Sequence, residues 1–381
     1  MNREPKENNG MPLLGLAAEP PFDPFSWSGS SANFFRALSE RGLLATACEV
    51  ALNRSRDSLE KALAAAWPMP RWKARYHASI RRFQALTAVA GDIIARHREI
   101  DGIVQIGAWF SAGRTTSMRC FSYHDGNAAL RYRYYGRGLL SEYVRRSHLS
   151  WERSVYEALT GIFVMSQWLA DSFMQDFDVP ASKLHVIGGG INMELPIDVP
   201  DRTESNPRFL FVGKDFERKG GKYLLEAFKT VRRALPQSEL VVVGPTLRID
   251  QPGVLCAGYL SKAKPADAAR LKELFRSATA VVLPSVYEPF GISLLEGMAY
   301  GLPCIAVDRC AMPEIVQHGK TGMIAHGEDA SSLADAMIEV GKTPESAAAM
   351  GAAGRQRVES DFTWSAVTAK MKTVLSETYR I

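Results

Sequence analysis

Short apolar runs alternate with amphipathic stretches along most of this 381-residue chain, and that alternation narrows the folds open to it. Candidate strands in the first half are LLGLA (13–17), GIVQIGA (102–108), RCFSYH (119–124), GIFVMS (161–166) and LHVIGGG (184–190). RFLFVG (208–213), ELVVVGP (239–245), AVVLPS (280–285) and PCIAVD (303–308) follow in the second half. Between them, GKYLLEAFKTVRRAL (221–235) and DAARLKELFRSA (267–278) carry the helical period. Strands that are apolar throughout belong to sheets covered on both faces. Strand–helix alternation then predicts parallel, doubly wound α/β architecture. At roughly 150 residues per domain, the length allows two to three domains. The polar, proline-bearing segment LPIDVPDRTESNP (195–207) has no helix period and separates two runs of βα units. Two α/β domains facing a central cleft are expected, with ligands at the carboxyl ends of the strands.

Composition removes several classes of function. With 46% hydrophobic and 23% charged residues, the chain is globular in character, neither disordered nor fibrous. No apolar run nears the roughly 18 residues a membrane helix needs. The start MNREPKENNG carries acids and does not resemble a secretory signal. Cys48, Cys120, Cys256, Cys304 and Cys310 form no CxxC and no paired framework, so a reduced, cytoplasmic protein is expected. The net charge of +5 does not argue for nucleic acid as a partner. It hides an asymmetry: residues 71–146 hold fourteen Lys/Arg against five acids, with Tyr132, Tyr134, Tyr135 and Tyr143 interleaved. Solvated helix faces account for such a run. Attraction of anionic lipid, with peripheral membrane contact, or of a phosphorylated acceptor is the functional alternative, each cation contributing about 1 kcal/mol near a charged surface.

The chemistry concentrates in AVVLPSVYEPFGISLLEGMAYGLPCIAVD (280–308). A buried strand ends at Pro284-Ser285, a loop carries Glu288, and a helix starts near Gly291. The unpaired N–H groups of Gly291, Ile292 and Ser293 open that helix, and the positive end of its dipole favours an anion such as a phosphate. Gly291 lacks a Cβ and permits close backbone approach. Glu288 and Glu296, eight residues apart, can accept hydroxyl hydrogen bonds from two parts of one ligand. In FLFVGKDFERKGGKYLLEAF (209–228), a strand runs into Lys214, Arg218 and Lys219, then Gly220-Gly221 and a helix. Cations and flexible glycines at such a turn suit a diphosphate, although a solvated basic turn has the same composition. Neither a Walker A loop nor a GxGxxG fingerprint is present.

Lys214…Lys219-Gly220 followed by Glu288-Pro-Phe-Gly…Glu296 closely resembles the C-terminal half of retaining glycosyltransferases of family 4 (glycosyl transferases group 1), which have the two-domain GT-B fold. The resemblance spans roughly 160–381. It takes in SQWLADSFMQDFDVPASKLHVIGGGIN, HGKTGMIAHGEDASSLADAM and the ending DFTWSAVTAKMKTVL. It implies an N-terminal acceptor-side domain (1–197), a nucleotide-sugar domain (198–360) and a final helix (361–381) crossing back onto the first domain. It also implies roles. Glu288 and Phe290 would border the donor sugar, and Glu288 and Lys219 would be catalytic. Lys214 and Lys219, with the amides of Gly291 and Ile292, would neutralise the departing diphosphate. Glu296 would hold the ribose hydroxyls, and Tyr259 and Leu260 would lie against the base. Many members carry arginine where this chain has Lys214, which keeps the charge but loses the bidentate fork.

The N-terminal half departs further from the family. Members usually begin with a glycine-rich turn after the first strand; here Gly29 and Ser30, in WSGSSANFFRAL, open the corresponding helix after a long EPPFDPFSW. His124-Asp125 ends a strand where the family places a histidine near the donor sugar, so His124 is expected to be catalytic. Gly29, Ser30 and Asp125 are expected on the acceptor side. Asp176-x-Asp178 imitates a metal pair but sits at a helix end with too few oxygen ligands, and Gly188-Gly189-Gly190 is expected to be a turn. The resemblance implies a retaining transfer of a hexose from a UDP- or GDP-sugar to a hydroxyl of a glycan or lipid-linked acceptor, with no cofactor and no metal. A sugar-nucleotide hydrolase or epimerase of the same fold, or an inactive binding scaffold, are the alternatives.

Overall fold

The computed structural model describes residues 12–136, 138–195, 197, 206–244 and 246–380. Most of the proline-bearing segment 195–207, Arg137 of the basic stretch and the start MNREPKENNG lie outside the described residues. Packing divides the chain into two units. The first runs to Gly190 and includes the residues from Trp364 onward; the second is Ile191–Thr363.

The first unit is built on β1 (Leu13–Ala17), β2 (Leu44–Glu49), β3 (Gly102–Ile106), β4 (Arg119–His124), β5 (Gly161–Val164) and β6 (Leu184–Val186). All pair in parallel, in the order β2-β1-β3-β4-β5-β6. The second unit holds β7 (Arg208–Val212), β8 (Glu239–Val243), β9 (Val254–Gly258), β10 (Ala280–Leu283), β11 (Cys304–Val307) and β12 (Gly322–Ala325). Its order is β12-β11-β10-β7-β8-β9, again wholly parallel. Each sheet therefore reverses direction once, between β1 and β3 and between β7 and β10. Loops diverge at such a switch point, leaving a crevice beyond the strand ends where ligands bind in doubly wound sheets.

The inner strands β1, β3, β5, β10 and β11 are buried along their whole length and apolar throughout except at Gln105 of β3, whose amide is satisfied by Gly107 O, Phe110 O and Ala112 N. Three strands carry no such signature. β2 and β9 lie at sheet edges and are half exposed, so their sequences LATACE and VLCAG are mixed. β12, also an edge, is short and starts at Gly322, whose φ of +156° and hypothetical Cβ 1.9 Å from Cys304 O allow only glycine.

The last helix, Trp364–Thr378, packs within the first unit. Trp364 meets Phe34 and Tyr123 edge-on, with centroids 6.0 and 6.3 Å apart. Gly190 makes the contact possible, because a Cβ there would lie 2.4 Å from the indole. The glycine run 188–190 is thus a packing turn: Tyr123 donates its hydroxyl to Gly188 O at 2.7 Å. Arg41 donates to Ser365 O, Ser365 Oγ and Thr368 Oγ1, and Tyr379 Oη pairs with His185 Nε2 at 2.8 Å.

Candidate active site

Two loops at the switch point of the second unit hold the expected donor residues. The loop after β7 closes against its neighbours through glycines at which a side chain would displace what they touch. A Cβ on Gly213 would lie 2.1 Å from Lys219 Cδ, one on Gly244 2.1 Å from Gly213 O, and one on Gly220 1.9 Å from Pro284 O. Gly220 is also left-handed (φ +77°) and caps the helix Gly221–Ala234. Of these, Gly220 is expected from the sequence, with Gly221, to lend flexibility; instead it allows close approach, drawing the cationic turn onto the end of β10.

The consequence is an ion pair. Lys219 Nζ lies 2.8 Å from Glu288 Oε2, with side chains only 12% and 11% exposed. Arg218 Nη1 stands 3.9 Å from the same oxygen and donates to Tyr287 O at 2.5 Å, while Ser285 Oγ donates to Glu288 at 3.3 Å. Burial alone would push the Glu288 carboxyl up; Lys219 and Arg218 outweigh it and hold the group below its ordinary value. Arg218 therefore supports the carboxylate from one side and the loop backbone from the other.

Gly291 (φ +101°) caps the helix Ile292–Ala299 in the left-handed region, a conformation open to glycine. Its α-carbon borders Glu288: a Cβ there would sit 3.6 Å from Glu288 Cγ. The helix start thus abuts the Lys219–Glu288 pair. Ser293 Oγ, buried at that start, has no hydrogen-bond partner among the described residues, so a polar ligand atom or water would satisfy it. Glu296, one turn on, is 3% exposed and paired with Lys262, a residue from the loop after β9. The expected base-side Tyr259 is 48% exposed and Lys214 Nζ lies 4.7 Å over its ring, so two residues expected at neighbouring parts of one ligand are brought together. Leu260 is buried beside them, and the Phe290 ring is turned inward, edge-on to Phe362 at 6.1 Å. Sequence reasoning did not single out Lys262, because a lone lysine in a loop carries no motif.

In the first unit, Gly29 (φ +91°) caps the helix Ser30–Glu40, and Ser30 is buried. Ahead of it, Trp27 and Ser28 are also left-handed, at φ +47° and +58°. Such residues cost about 1–3 kcal/mol each and persist only where contacts hold them. Here Trp27 Nε1 donates to Asp125 Oδ2 at 2.9 Å, Trp27 N donates to Glu19 Oε2 at 3.1 Å, and the indole meets Tyr123 edge-on. Asp125 thus anchors the loop after β1. His124 ends β4, but its ring is enclosed by Tyr156 and Phe173, with Nε2 on Ser122 Oγ at 2.8 Å. Burial lowers its pKa to about 3, so the imidazole is neutral at physiological pH.

Residues 197–357 match the family model for glycosyl transferases group 1. The chain has the GT-B fold. Sucrose-phosphate synthase from Thermosynechococcus elongatus superposes with a TM-score of 0.68 at 18% identity, covering 97% of this chain and 99% of that one. HepE from Anabaena, in complex with UDP and glucose, superposes at 0.65 and 14% identity, covering 97% and 100%. Alpha-maltose-1-phosphate synthase of Mycolicibacterium smegmatis is 28% identical over 246 residues, 57% of this chain and 63% of its own length. A GDP-mannose-dependent phosphatidylinositol monomannoside mannosyltransferase of Mycobacterium tuberculosis is 31% identical over 183 residues, 45% and 47% of the two chains. The alignments with these two curated relatives thus span between about half and three-fifths of the relatives' length.

Proposed function

We propose that this chain is a retaining glycosyltransferase that moves a hexose from a UDP- or GDP-sugar to a hydroxyl of a glycan or lipid-linked acceptor. The observation that carries this is the Lys219–Glu288 pair at 2.8 Å, abutting the amide end of the helix Ile292–Ala299. As the bond from the anomeric carbon to the diphosphate oxygen lengthens, negative charge grows on the leaving group. Lys219 and Lys214, with the amides of Gly291 and Ile292, are fixed to receive it, and fixed charge of this kind needs no rearrangement during the reaction. Glu288, held ionised, accepts hydroxyl hydrogens of the sugar. Glu296 does the same for the ribose once Lys262 yields, and Tyr259 and Leu260 flank the base.

The acceptor hydroxyl attacks the face the diphosphate leaves, and its proton passes to the departing phosphate oxygen. Configuration is retained and no protein base is required. His124, neutral and enclosed, holds the end of β4, and Asp125 beside it positions Trp27. The cations of the chain neutralise the diphosphate, so turnover should survive a chelator. Relatives named for GDP-mannose and a neighbour bound to UDP support a nucleotide-sugar donor of either base. A thermal-shift series with UDP, GDP and ADP tests this. One nucleotide at a hundred times its Kd stabilises the native state by about 2.7 kcal/mol, and flat melting curves for all three would remove the donor site.

Among the described residues, no helix is long and apolar enough to cross a membrane. Peripheral contact is favoured by one surface feature of the first unit. Trp67 (87% exposed), Leu63 and Met69 stand out beside Arg71, Lys73 and Arg75, an apolar tip with a basic collar. Co-sedimentation with anionic vesicles that Trp67→Ala abolishes would support it, and sedimentation unchanged by that substitution would refute it.

A further inference from the structure

A second cluster of cations and rings lies at the switch point of the first unit, apart from the residues assigned to the donor. β3 ends at Ile106, Gly107 (φ +71°) turns the chain, and half-buried Trp109 follows. The helix Met69–His77 ends against this turn and the helix Ile80–Arg96 begins there. The His77 ring lies 5.2 Å from Trp109 and 5.3 Å from Tyr76. The Arg82 guanidinium lies 4.6 Å from the Tyr76 ring and 5.8 Å from Trp109. Arg131, from the short helix Ala128–Arg131 after β4, stacks on the Tyr132 ring at 6.0 Å and is near enough for its charge to act on His77.

Among the described residues, two polar atoms here, His77 Nδ1 and Arg82 Nε, are buried with no hydrogen-bond partner, while the Arg82 guanidinium elsewhere bonds the Tyr76 side chain. Buried polar atoms are normally satisfied, and an exception calls for a ligand or water. Charge points the same way. Burial, and then the cations of Arg82, Arg131 and Lys73, hold the His77 imidazole down at about 4. His148, the other imidazole near it, is neutral too and pairs with the Tyr132 hydroxyl at 2.5 Å. The nearby acids are already engaged. Asp57 pairs with Lys61 at 2.6 Å, accepts the Tyr76 hydroxyl and also feels the charge of Arg82, while Glu152, pushed up to about 7 by burial, accepts the Ala128 amide and feels the charge of Arg131. Neither Arg82 nor Arg131 forms an ion pair among the described residues.

We propose that Arg82, Arg131 and His77, walled by Trp109, bind a phosphate monoester carried by the acceptor. This rests on the glycosyltransferase reading. Guanidinium groups match the oxygens of a phosphate in pairs, and an imidazole that can take up a proton suits a dianion. The strand-end position is where a doubly wound sheet presents its ligands. A soluble sugar phosphate and a lipid phosphate headgroup share this chemistry.

The test follows the His77 imidazole by NMR in the full chain, with glucose 1-phosphate in solution and with phosphatidic acid vesicles as probes. Either probe should raise the His77 titration midpoint by about one pH unit or more, and whichever does so identifies the source. Arg82→Ala should weaken that response at least about tenfold, a loss of about 1.4 kcal/mol, and leave UDP and GDP binding within about twofold. If Arg82→Ala does not fold, Arg131→Ala and Arg82→Lys carry the same comparison. A His77 signal indifferent to both probes, or unaffected by the variants, overturns the proposal. Should the probes move His77 while UDP and GDP fail to bind anywhere, the anion site stands and the donor assignment falls.

Discussion

Lys219 and Glu288 stand 2.8 Å apart although 69 positions separate them in the chain. They meet because β7 and β10, distant in sequence, are neighbours in the sheet, and both residues lie in the loops that leave those strands. The pair is almost wholly enclosed, so each partner's charge depends on the other.

Lys219→Ala should therefore injure both stability and turnover. It strands a buried carboxylate, for which about 3 kcal/mol is a fair expectation, and removes a fixed cation whose loss costs two or more decades of turnover. Adding Glu288→Gln to Lys219→Ala should restore much of the stability without restoring activity. Urea denaturation of both variants and a donor-saturated assay decide it; equal stability of the single and double variants would mean the two charges are not coupled.

Gly220→Ala and Gly258→Ala separate two kinds of glycine. Both positions are left-handed, at φ +77° and +71°. At Gly258 no described residue beyond its chain neighbours lies within 4 Å of the added carbon, so the cost is the backbone term of about 1 kcal/mol. At Gly220 the carbon would strike Pro284 O at 1.9 Å, and the loop carrying Lys219 must move off β10. The melting temperature should fall much further for Gly220→Ala, and nucleotide binding should go with it.

Acid stability should carry the mark of buried histidines. Burial lowers His124 and His148 to about 3 and His77 to about 4. Below about pH 6.5 the unfolded chain takes up protons that the native chain refuses, so stability falls as pH drops from there toward the folded values. Each such histidine contributes a slope of about 1.4 kcal/mol per pH unit. His124→Asn should flatten the decline in urea midpoints between pH 6.5 and 4, and a decline as steep as the parent's would show that the ring is not shielded. Glu288 acts in a lower window. Its depressed value gives stability that is present above about pH 4.5 and lost as pH falls through the folded value.

Trp364→Ala should loosen the last helix. The indole is 7% exposed and fills the space that Gly190 leaves, so its removal opens a cavity worth about 3–5 kcal/mol. Hydrogen exchange should rise across Trp364–Thr378 before the rest of the first unit; uniform exchange would mean the helix is not held by this contact.

The inner strands and the order of βα units were written in the chain, since a strand buried on both faces must be apolar along its length. So were the cations, glycines and glutamates at strand ends, whose spacing from one strand is local. The edge strands β2, β9 and β12 were not legible, because a half-covered or very short strand has no such signature. What only the tertiary structure decided was partnership. Strand order placed Lys219 on Glu288 and Lys262 on Glu296, and put Arg82 between Tyr76 and Trp109. It also turned His124 inward between Tyr156 and Phe173, where the resemblance implies a catalytic side chain facing the donor sugar. Sequence fixes which face a residue takes in its own element; which distant element covers that face depends on the order in which the strands assemble.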